Sequence, residues 1–397
     1  MVTRVELEEF PPNPSSHMDT SSLMTDEHLV HPRTGEGVLI SRVGMAALGQ
    51  EHRKVFTNED VFLPEPFSSA NGNSGLSNVE VVECKTRDGR KQDKYPERDH
   101  YLMVATIDDR RHVWWYSEAL LGCVTDSEPI VVFSKPGLGE IVEKGLGWIH
   151  HKQLSRQMPL ASIVTHATYG IGPLGEELSW SDLIDHDMKQ LVEHERRFLE
   201  TFFPNSPLML VGVSEGTIEN HGVALYNLEH GSPLEIQAIV DYAHALVDPR
   251  NVAKDMAFLF MPHMGIDGVK ELILKTRPKH LIGALKILGA SGPRNQDLRV
   301  MGRQGLSIMR GTPEDEQREV IEHIPKVVIS GSNDPLLQLD MLSRMQKDLP
   351  EQISVDVLEG RGHGMALKPF AGGRRIAHQA TRLGLRVANP ELSLVKN

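Results

Sequence analysis

Three polar residues, each in a short segment with glycines, have the types and the order that nucleophilic catalysis requires. The first, Ser214, lies in Gly212-Val213-Ser214-Glu215-Gly216, between a short apolar run and an amphipathic stretch. A serine that projects from a sharp strand-to-helix turn sits in strained backbone, and close packing leaves no room for side chains two residues before and after it. The spacing therefore predicts such a turn, and a nucleophile there needs a base and an orienting acid.

A candidate acid and a candidate base follow Ser214 along the chain. Asp334 lies in a loop after the apolar run 326–329, and His363 lies in a glycine-rich loop after the run 353–358. Polar residues at the carboxyl ends of parallel strands can converge at the edge where open α/β sheets place their sites. Asp241, which directly follows the run 236–240, is the alternative acid; the loop pattern favours Asp334.

The elements that must position these residues follow from the spacing of apolar runs. From residue 128 onwards, apolar runs bounded by turn residues alternate with helical stretches, which is typical of a parallel sheet buried on both faces. The predicted strands of this part are 130–133, 161–164, 208–211, 236–240, 326–329 and 353–358. Before them, runs at 79–84, 101–107 and 112–116 predict antiparallel strands. The aromatic run Trp114-Trp115-Tyr116 favours packed strand core over a substrate platform.

These patterns divide the chain into four parts. Residues 1–36 lack a sustained apolar period and are interpreted as a loose tail. Residues 37–247 form the first part of the α/β core, and 323–397 form the second part. Between them, residues 248–322 interrupt the alternation with apolar, methionine-rich helical segments, which predicts a helical cap over the end of the sheet.

Composition restricts the classes of protein and partner. The chain has 397 residues, 40% hydrophobic content and a formal net charge of −12, which argues against nucleic acid or an anionic membrane surface as the main partner. Two cysteines exclude a disulfide framework. No run is long enough to cross a bilayer, and the first residues lack the apolar core of a signal peptide, so we expect a cytoplasmic protein.

The three segments that contain Ser214, Asp334 and His363 resemble, in sequence and in order, the triad loops of the α/β-hydrolase superfamily. The resemblance spans roughly residues 79 to 370. It implies an α/β fold with a mostly parallel, eight-stranded sheet flanked by helices. It also implies an antiparallel hairpin at the front of the sheet and a cap inserted after the sixth strand.

The resemblance also implies roles for individual residues. Ser214 would be the nucleophile, His363 the general acid and base, and Asp334 the residue that orients the imidazole. The backbone N–H of Glu215 would be one oxyanion donor. The second donor would come from the loop after the strand 130–133, where many family members carry His-Gly.

This chain has Pro136-Gly137 at the position of that His-Gly pair. Proline has no N–H to donate, so Leu138 is the preferred second donor and Gly137 is the alternative. His166, on the loop after the run 161–164, is expected to border the pocket. Met261, in the methionine-rich cap segment, is expected to be cap core that also lines an apolar acyl pocket. No metal site or cofactor is predicted, and His150-His151 lacks ligand spacing.

The leading hypothesis is a serine hydrolase that cleaves small-molecule carboxylic esters with a fairly apolar group through an acyl-enzyme. The same triad would also serve a thioester, an amide, a carbon–carbon bond or acyl transfer, and the sequence does not separate these reactions. A non-catalytic protein that uses the pocket to bind a ligand is a further alternative. The oligomeric state stays open.

Overall fold

The computed structural model describes a large part of the chain but not all of it. The described residues are 27–30, 37–40, 63–64, 67, 75–85, 98–120, 128–137, 140–143, 145–176, 188–248, 311–367 and 369–387. Three sequence predictions fall outside them, namely the roles of Leu138 and Met261 and most of the cap at 248–322.

Nine strands form one mixed sheet. They are β3 (Leu76–Lys85), β4 (His100–Ile107), β5 (Arg110–Ser117), β6 (Val131–Lys135), β7 (Ser162–His166), β8 (Pro207–Val213), β9 (Glu235–Tyr242), β10 (Lys326–Gly331) and β11 (Ile353–Leu358). Their order across the sheet is β11-β10-β9-β8-β6-β7-β5-β4-β3. The six strands from β11 to β7 are parallel, and β5, β4 and β3 add antiparallel to that edge. The sheet has one strand more than the eight that the resemblance implied.

Six α-helices within the described residues accompany the sheet. They are α1 (Gly145–Gln157), α2 (Lys189–Phe202), α3 (Gly216–His230), α4 (Glu314–His323), α5 (Leu339–Asp348) and α6 (Pro369–Arg382). None of these helices has both the length and the apolar surface that crossing a bilayer requires. Helix α2 ends at Phe202, two residues before Pro204, which cannot continue a helix.

The sheet separates two hydrophobic layers. On one face, side chains such as Phe133 and Leu210 pack with Phe198 of α2, Val223 of α3 and Val320 of α4. On the other face, alternate residues of the same strands pack against α1 and α6. Burial on both faces explains why the parallel strands are almost uniformly apolar in sequence. The described residues thus form an α/β fold, a mostly parallel sheet with helices packed on both faces.

The front hairpin forms between two of the predicted antiparallel strands, 101–107 and 112–116. Asp108 and Asp109 connect β4 to β5, and both have positive φ (47° and 62°). Two left-handed residues give a turn whose twist matches that of the paired strands, and aspartate tolerates this conformation better than most residues. Trp114, Trp115 and Tyr116 of β5 are at most 2% exposed, so the aromatic run is packed core as predicted.

Two boundaries of the predicted division differ from the structure. Glu27–Val30 (β1), within the predicted loose tail, pairs antiparallel with Gly37–Ile40 (β2), and this pair is a separate two-stranded sheet. Each of these strands has only four residues, which is too few to show a repeating apolar pattern. Helix α4 overlaps the end of the predicted cap, yet Val320 and Ile321 are buried in the layers against the sheet. The buried residues of α4 therefore pack against the sheet, within the range 248–322 that was predicted as the cap.

Candidate active site

Ser214 occupies a strained turn between β8 and α3. Its φ is 52°, in the left-handed region that non-glycine residues seldom adopt. The turn is held by hydrogen bonds on both sides: the Ser214 N–H donates to Tyr242 O at 2.9 Å, and the Thr217 hydroxyl donates to Ser214 O at 2.7 Å. Strain that the surroundings enforce in this way is a feature of functional sites.

The two glycines around Ser214 are required by close backbone contact. A Cβ on Gly212 would lie 2.5 Å from Thr217 Cα, and a Cβ on Gly216 would lie 2.6 Å from Lys135 O. Both distances are far below van der Waals contact, and both partners are backbone atoms that cannot move aside. The sequence predicted this lack of space at the turn, and the structure confirms it.

The structure brings the three predicted triad residues into one hydrogen-bonded chain. Ser214 Oγ lies 2.7 Å from His363 Nε2, and His363 Nδ1 lies 2.8 Å from Asp334 Oδ2. All three side chains are buried, with at most 5% of each residue exposed. This order of hydroxyl, imidazole and carboxylate is the arrangement that lets a histidine accept a serine proton while an acid fixes its tautomer.

The Asp334 carboxylate is held in its ionised form. Burial alone would raise its pKa. Burial is outweighed by the charge and hydrogen bond of His363 and by hydrogen bonds from the Leu336 N–H and the Ser330 hydroxyl. The pKa of Asp334 is therefore below its ordinary value. An ionised Asp334 keeps the proton of the imidazole on Nδ1 and leaves Nε2 free to accept.

Two loops from neighbouring strands place Asp334 beside His363. The Asn333 N–H donates to Arg361 O at 2.8 Å, and the Ser332 N–H donates to Leu358 O at 3.0 Å. The contact is so close that a Cβ on Gly331 would lie 2.2 Å from Arg361 O. The glycine in the Asp334 segment is thus what allows the two loops to touch.

The alternative acid, Asp241, has different partners. Its Oδ2 accepts hydrogen bonds from His244 Nδ1 at 2.8 Å and forms an ion pair with Lys326 Nζ, also at 2.8 Å. Burial opposes ionisation of Asp241, but Lys326 and His244 outweigh it and lower the pKa of Asp241. Asp241 therefore belongs to a buried ion pair and does not contact His363.

The loop after β6 passes directly over the nucleophile. A Cβ on Gly137 would lie 3.4 Å from Ser214 Cβ, so the backbone of this loop is in contact with the serine. The Glu140 N–H donates to Gly137 O at 3.0 Å. Burial raises the pKa of the Glu140 carboxyl group to about 7, and the Gly137 backbone opposes this rise. Of the two candidate donors, Gly137 thus lies beside Glu140, and Leu138 lies outside the described residues.

A fully buried charged cluster lies behind the turn. Lys135 Nζ lies 2.6 Å from Glu195 Oε1 of α2 and 2.7 Å from Glu219 Oε2 of α3, and it also donates to Ala167 O at 3.4 Å. Glu219 is hydrogen-bonded in turn to Glu215, the residue after the nucleophile. The cluster therefore connects the loop after β6, the loop after β7 and the first turn of α3.

The charges of this cluster balance. Burial raises the pKa values of Glu195 and Glu215 well above normal, with the nearby Glu219 adding to the effect. For Glu219, the opposing influence of burial is outweighed by Lys135 and by hydrogen bonds, and its pKa is lowered. One lysine cation thus faces one carboxylate, while two neutral carboxyl groups supply hydrogen bonds. A buried cluster of zero net charge avoids the cost of an unpaired ion.

His166 has a different environment from the one predicted. His166 is fully buried, and its ring lies among the rings of His194 and Phe198. Its Nε2 lies 3.1 Å from His112 Nδ1. The expectation that it borders a substrate pocket came from its place after a parallel strand, yet its side chain points into the layer between the sheet and α2. His150 and His151 hydrogen-bond to hydroxyl groups of Ser134, Ser117 and Thr165.

Several residues at this site were not identified from sequence. Lys135, Glu195 and Glu219 lie on three different elements, and only the pair Glu215 and Glu219 at helical spacing gave a local signal. Glu140 lies four residues after Pro136 and has no distinguishing pattern. A lysine directly after a buried strand is seldom buried without a carboxylate partner, but its sequence position does not show which carboxylate that is.

Comparisons with known proteins found similar solved structures only. No family model matches the chain, and no curated protein matches it in sequence. Among solved structures it is similar to the thioesterase domain from the curacin biosynthetic pathway, with a TM-score of 0.46, 15% identity, and coverage of 75% of this chain and 99% of that one. It is also similar to a carboxylesterase of the ammonia-oxidizing thaumarchaeon Nitrososphaera gargenis (TM-score 0.46, 14% identity, 69% and 96% covered). A third is an α/β-hydrolase fold protein from Chitinophaga pinensis (TM-score 0.45, 13% identity, 68% and 93% covered).

Proposed function

We propose that this chain, which has the α/β-hydrolase fold, is a serine hydrolase that cleaves small-molecule carboxylic esters through an acyl-enzyme intermediate. The observation that carries the proposal is the 2.7 Å contact between Ser214 Oγ and His363 Nε2, with His363 Nδ1 held by Asp334. The strained backbone of Ser214 adds support, because it aims the hydroxyl from a turn that the packing of Gly212 and Gly216 enforces.

In the proposed reaction His363 moves one proton twice. As Ser214 Oγ attacks the carbonyl carbon, its proton passes to His363 Nε2, and His363 then gives that proton to the leaving alcohol. Water enters, gives a proton to His363 and attacks the acyl-enzyme, and the proton returns to Ser214 Oγ as the acid departs. Asp334 stays ionised and stabilises the imidazolium in both steps, which agrees with its lowered pKa.

Two backbone N–H groups are proposed to bind the oxyanion. One belongs to Glu215, whose position after the nucleophile places its N–H on the first turn of α3. The other belongs to Leu138, with Gly137 as the alternative, because Pro136 has no N–H to donate. Each such donor contributes on the order of 10² to 10³ in rate in serine hydrolases.

The proposal is tested with p-nitrophenyl esters whose acyl chains range from acetate to long fatty acids. We expect turnover by the wild-type protein and its loss in Ser214→Ala. Ser206→Ala is the matched control, because Ser206 precedes β8 at the end opposite to Ser214, and it should retain activity. A folded Ser214→Ala variant with wild-type turnover would contradict the proposal.

Related substrates distinguish the reaction within the proposed class. Thioesters, amides and β-diketones assayed in parallel report whether a bond other than the carboxylic ester is the preferred one. Saturable binding of an ester without product, at concentrations that fully occupy the pocket, would instead support a protein that only binds its ligand.

A further inference from the structure

Three buried histidines from three different elements converge between the sheet and α2. They are His112 of β5, His166 at the end of β7 and His194 of α2, and each is at most 5% exposed. Each can present one ring nitrogen such that the three nitrogens lie within 4.8 Å of one another. None of them belongs to the Ser214, His363 and Asp334 chain, so the cluster is unexplained by the proposed function.

One nitrogen on each ring is buried without a hydrogen-bond partner among the described residues. These atoms are His112 Nε2, His166 Nδ1 and His194 Nδ1. The single hydrogen bond inside the cluster joins His112 Nδ1 to His166 Nε2 at 3.1 Å. A buried polar atom without a partner typically costs about 1–3 kcal/mol. By contrast, both ring nitrogens of His151 in the same protein have hydroxyl partners.

Burial of the three imidazoles disfavours a positive charge on each ring. Burial lowers the pKa of His112 to about 3, with Lys135 as a smaller contribution. Burial also lowers the pKa values of His166 and His194 well below the usual value, and the neighbouring histidines add to this effect. A neutral imidazole has a free lone pair, and this is the form that acts as a ligand.

A pocket borders the cluster on one side. The pocket has a volume of about 390 Å³, and both His112 and His194 line it, together with Tyr169 and Gln190. Its rim carries charges of both signs, and Arg197 is paired there with Asp108 and Glu193. The pocket thus ends at the two rings, whose unpartnered nitrogens are themselves buried.

We propose that His112, His166 and His194 form a binding site for a divalent transition-metal ion of the Zn²⁺ type. Three imidazoles with one open position occur in zinc sites, and imidazole also suits Ni²⁺, Cu²⁺ and Co²⁺. The fourth ligand would be a water molecule from the pocket. Zn–N bonds of about 2.0–2.1 Å in a tetrahedral site place ligand nitrogens about 3.3 Å apart. The ring nitrogens must therefore approach one another, and the ring of His194, which is stacked on His112 at 3.7 Å, must turn.

Occupation of this site would link α2 to β5 and β7. The ligands are distant in sequence and come from three elements, so a bound ion stabilises the folded chain and has no equivalent site in the unfolded chain. The proposal stands apart from the hydrolase proposal, because neither binding stoichiometry nor metal-dependent stability needs ester turnover as its readout.

The test uses full-length protein without a histidine tag, stripped of metal and titrated with Zn²⁺, and with Co²⁺ for its visible absorption. We expect one equivalent of metal per chain, intense absorption bands typical of a four-coordinate Co²⁺ ion, and a rise in Tm on addition of Zn²⁺. His194→Phe keeps an aromatic ring beside Tyr169 and His112 but removes a ligand. It should weaken binding at least a hundredfold and abolish the Tm rise, and His112→Phe should do the same.

The matched control removes exposed histidines. His230→Ala with His323→Ala deletes two surface imidazoles and should leave affinity and stoichiometry unchanged. Absence of stoichiometric binding by the wild-type protein would overturn the proposal. So would a folded His194→Phe variant with wild-type affinity, or loss of binding only in the surface variant.

Discussion

Lys135 and Glu219 form an ion pair in which Lys135 Nζ lies 2.7 Å from Glu219 Oε2 and neither side chain is exposed to solvent. The pair lies directly behind the turn that carries Ser214, because Lys135 O contacts Gly216 and Glu219 is hydrogen-bonded to Glu215. The backbone segments around the nucleophile are thus joined through charge as well as through packing.

Replacing Lys135 by methionine should strongly destabilise the protein. The substitution leaves the Glu219 carboxylate buried without its cation, and breaking a buried ion pair on one side costs about 3–5 kcal/mol. Urea denaturation measures this loss. The control is Arg318→Ala, which removes the more exposed pair with Asp348 and should cost less than about 1 kcal/mol. Equal losses of unfolding free energy in the two variants would show that the buried cluster stabilises the fold no more than an exposed ion pair does.

Glu140 should influence ester hydrolysis in a pH-dependent manner. Its backbone N–H donates to Gly137 O, and Gly137 lies against Ser214. Burial raises the pKa of its carboxyl group to about 7. Above that pH its negative charge opposes the oxyanion that the reaction forms nearby, whereas below it the group is neutral. The kcat/KM of Glu140→Gln divided by that of the wild type should therefore rise as the pH increases through 7. If the charge raises the activation free energy by about 1.4 kcal/mol, the rise is about tenfold. A ratio independent of pH would disprove this role.

Gly216→Ala should remove activity by moving the nucleophile. The added Cβ would lie 2.6 Å from Lys135 O, so either α3 or the loop after β6 must shift. A misplacement of about 1 Å can cost about a hundredfold in rate, and steady-state assays of the soluble variant measure it. Gly231→Ala is the comparison, because a Cβ there meets no atom within 4 Å and only the positive φ of 60° is strained. It should lose stability of about 1 kcal/mol and keep its activity.

The folded chain should lose stability in mild acid. Burial lowers the pKa of His100 to about 3, that of His150 to about 4 and that of His221 to about 3. Between those values and about 6.5, the ordinary histidine pKa, the unfolded chain binds more protons than the folded one. The free energy of unfolding therefore falls as pH decreases below about 6.5, by up to about 1.4 kcal/mol per pH unit for each such group.

A single variant isolates one of these histidines. His221 is packed near Lys326, Asp241 and His244, and its two ring nitrogens have no hydrogen-bond partner among the described residues. The slope of the unfolding free energy against pH, measured by urea denaturation, reports the number of protons taken up on unfolding. His221→Leu should reduce that number by about one, whereas His230→Ala, at an exposed position, should leave it unchanged. An unchanged slope in His221→Leu would mean that His221 is already accessible to protons.

The sequence predicted the fold and the three polar residues well because their signals are local. Buried parallel strands are apolar runs, and the turn around Ser214 needs glycines at fixed positions, so both can be read from adjacent residues. The strands β1 and β2 were too short to detect, and α4 resembled the cap because its apolar residues follow the same helical period.

The clusters around Lys135 and His166 could not be predicted in the same way. Lys135, Glu195 and Glu219 come from β6, α2 and α3, and their pairing depends on how two helices cross the sheet. His112, His166 and His194 likewise come from three elements, and histidines are frequent in this chain. Contacts between distant residues of common types leave no pattern in a single sequence.

The most direct measurement for the proposed nucleophile is covalent labelling by a fluorophosphonate, followed by intact mass and peptide mapping. The Ser214 hydroxyl, 2.7 Å from His363 Nε2, should take one phosphonyl group per chain, located on the peptide that contains Ser214. Ser214→Ala should remain unlabelled and His363→Ala should react far more slowly, while both remain folded. Labelling of Ser214→Ala to the wild-type extent, or attachment at a different serine in the wild-type protein, would contradict the account.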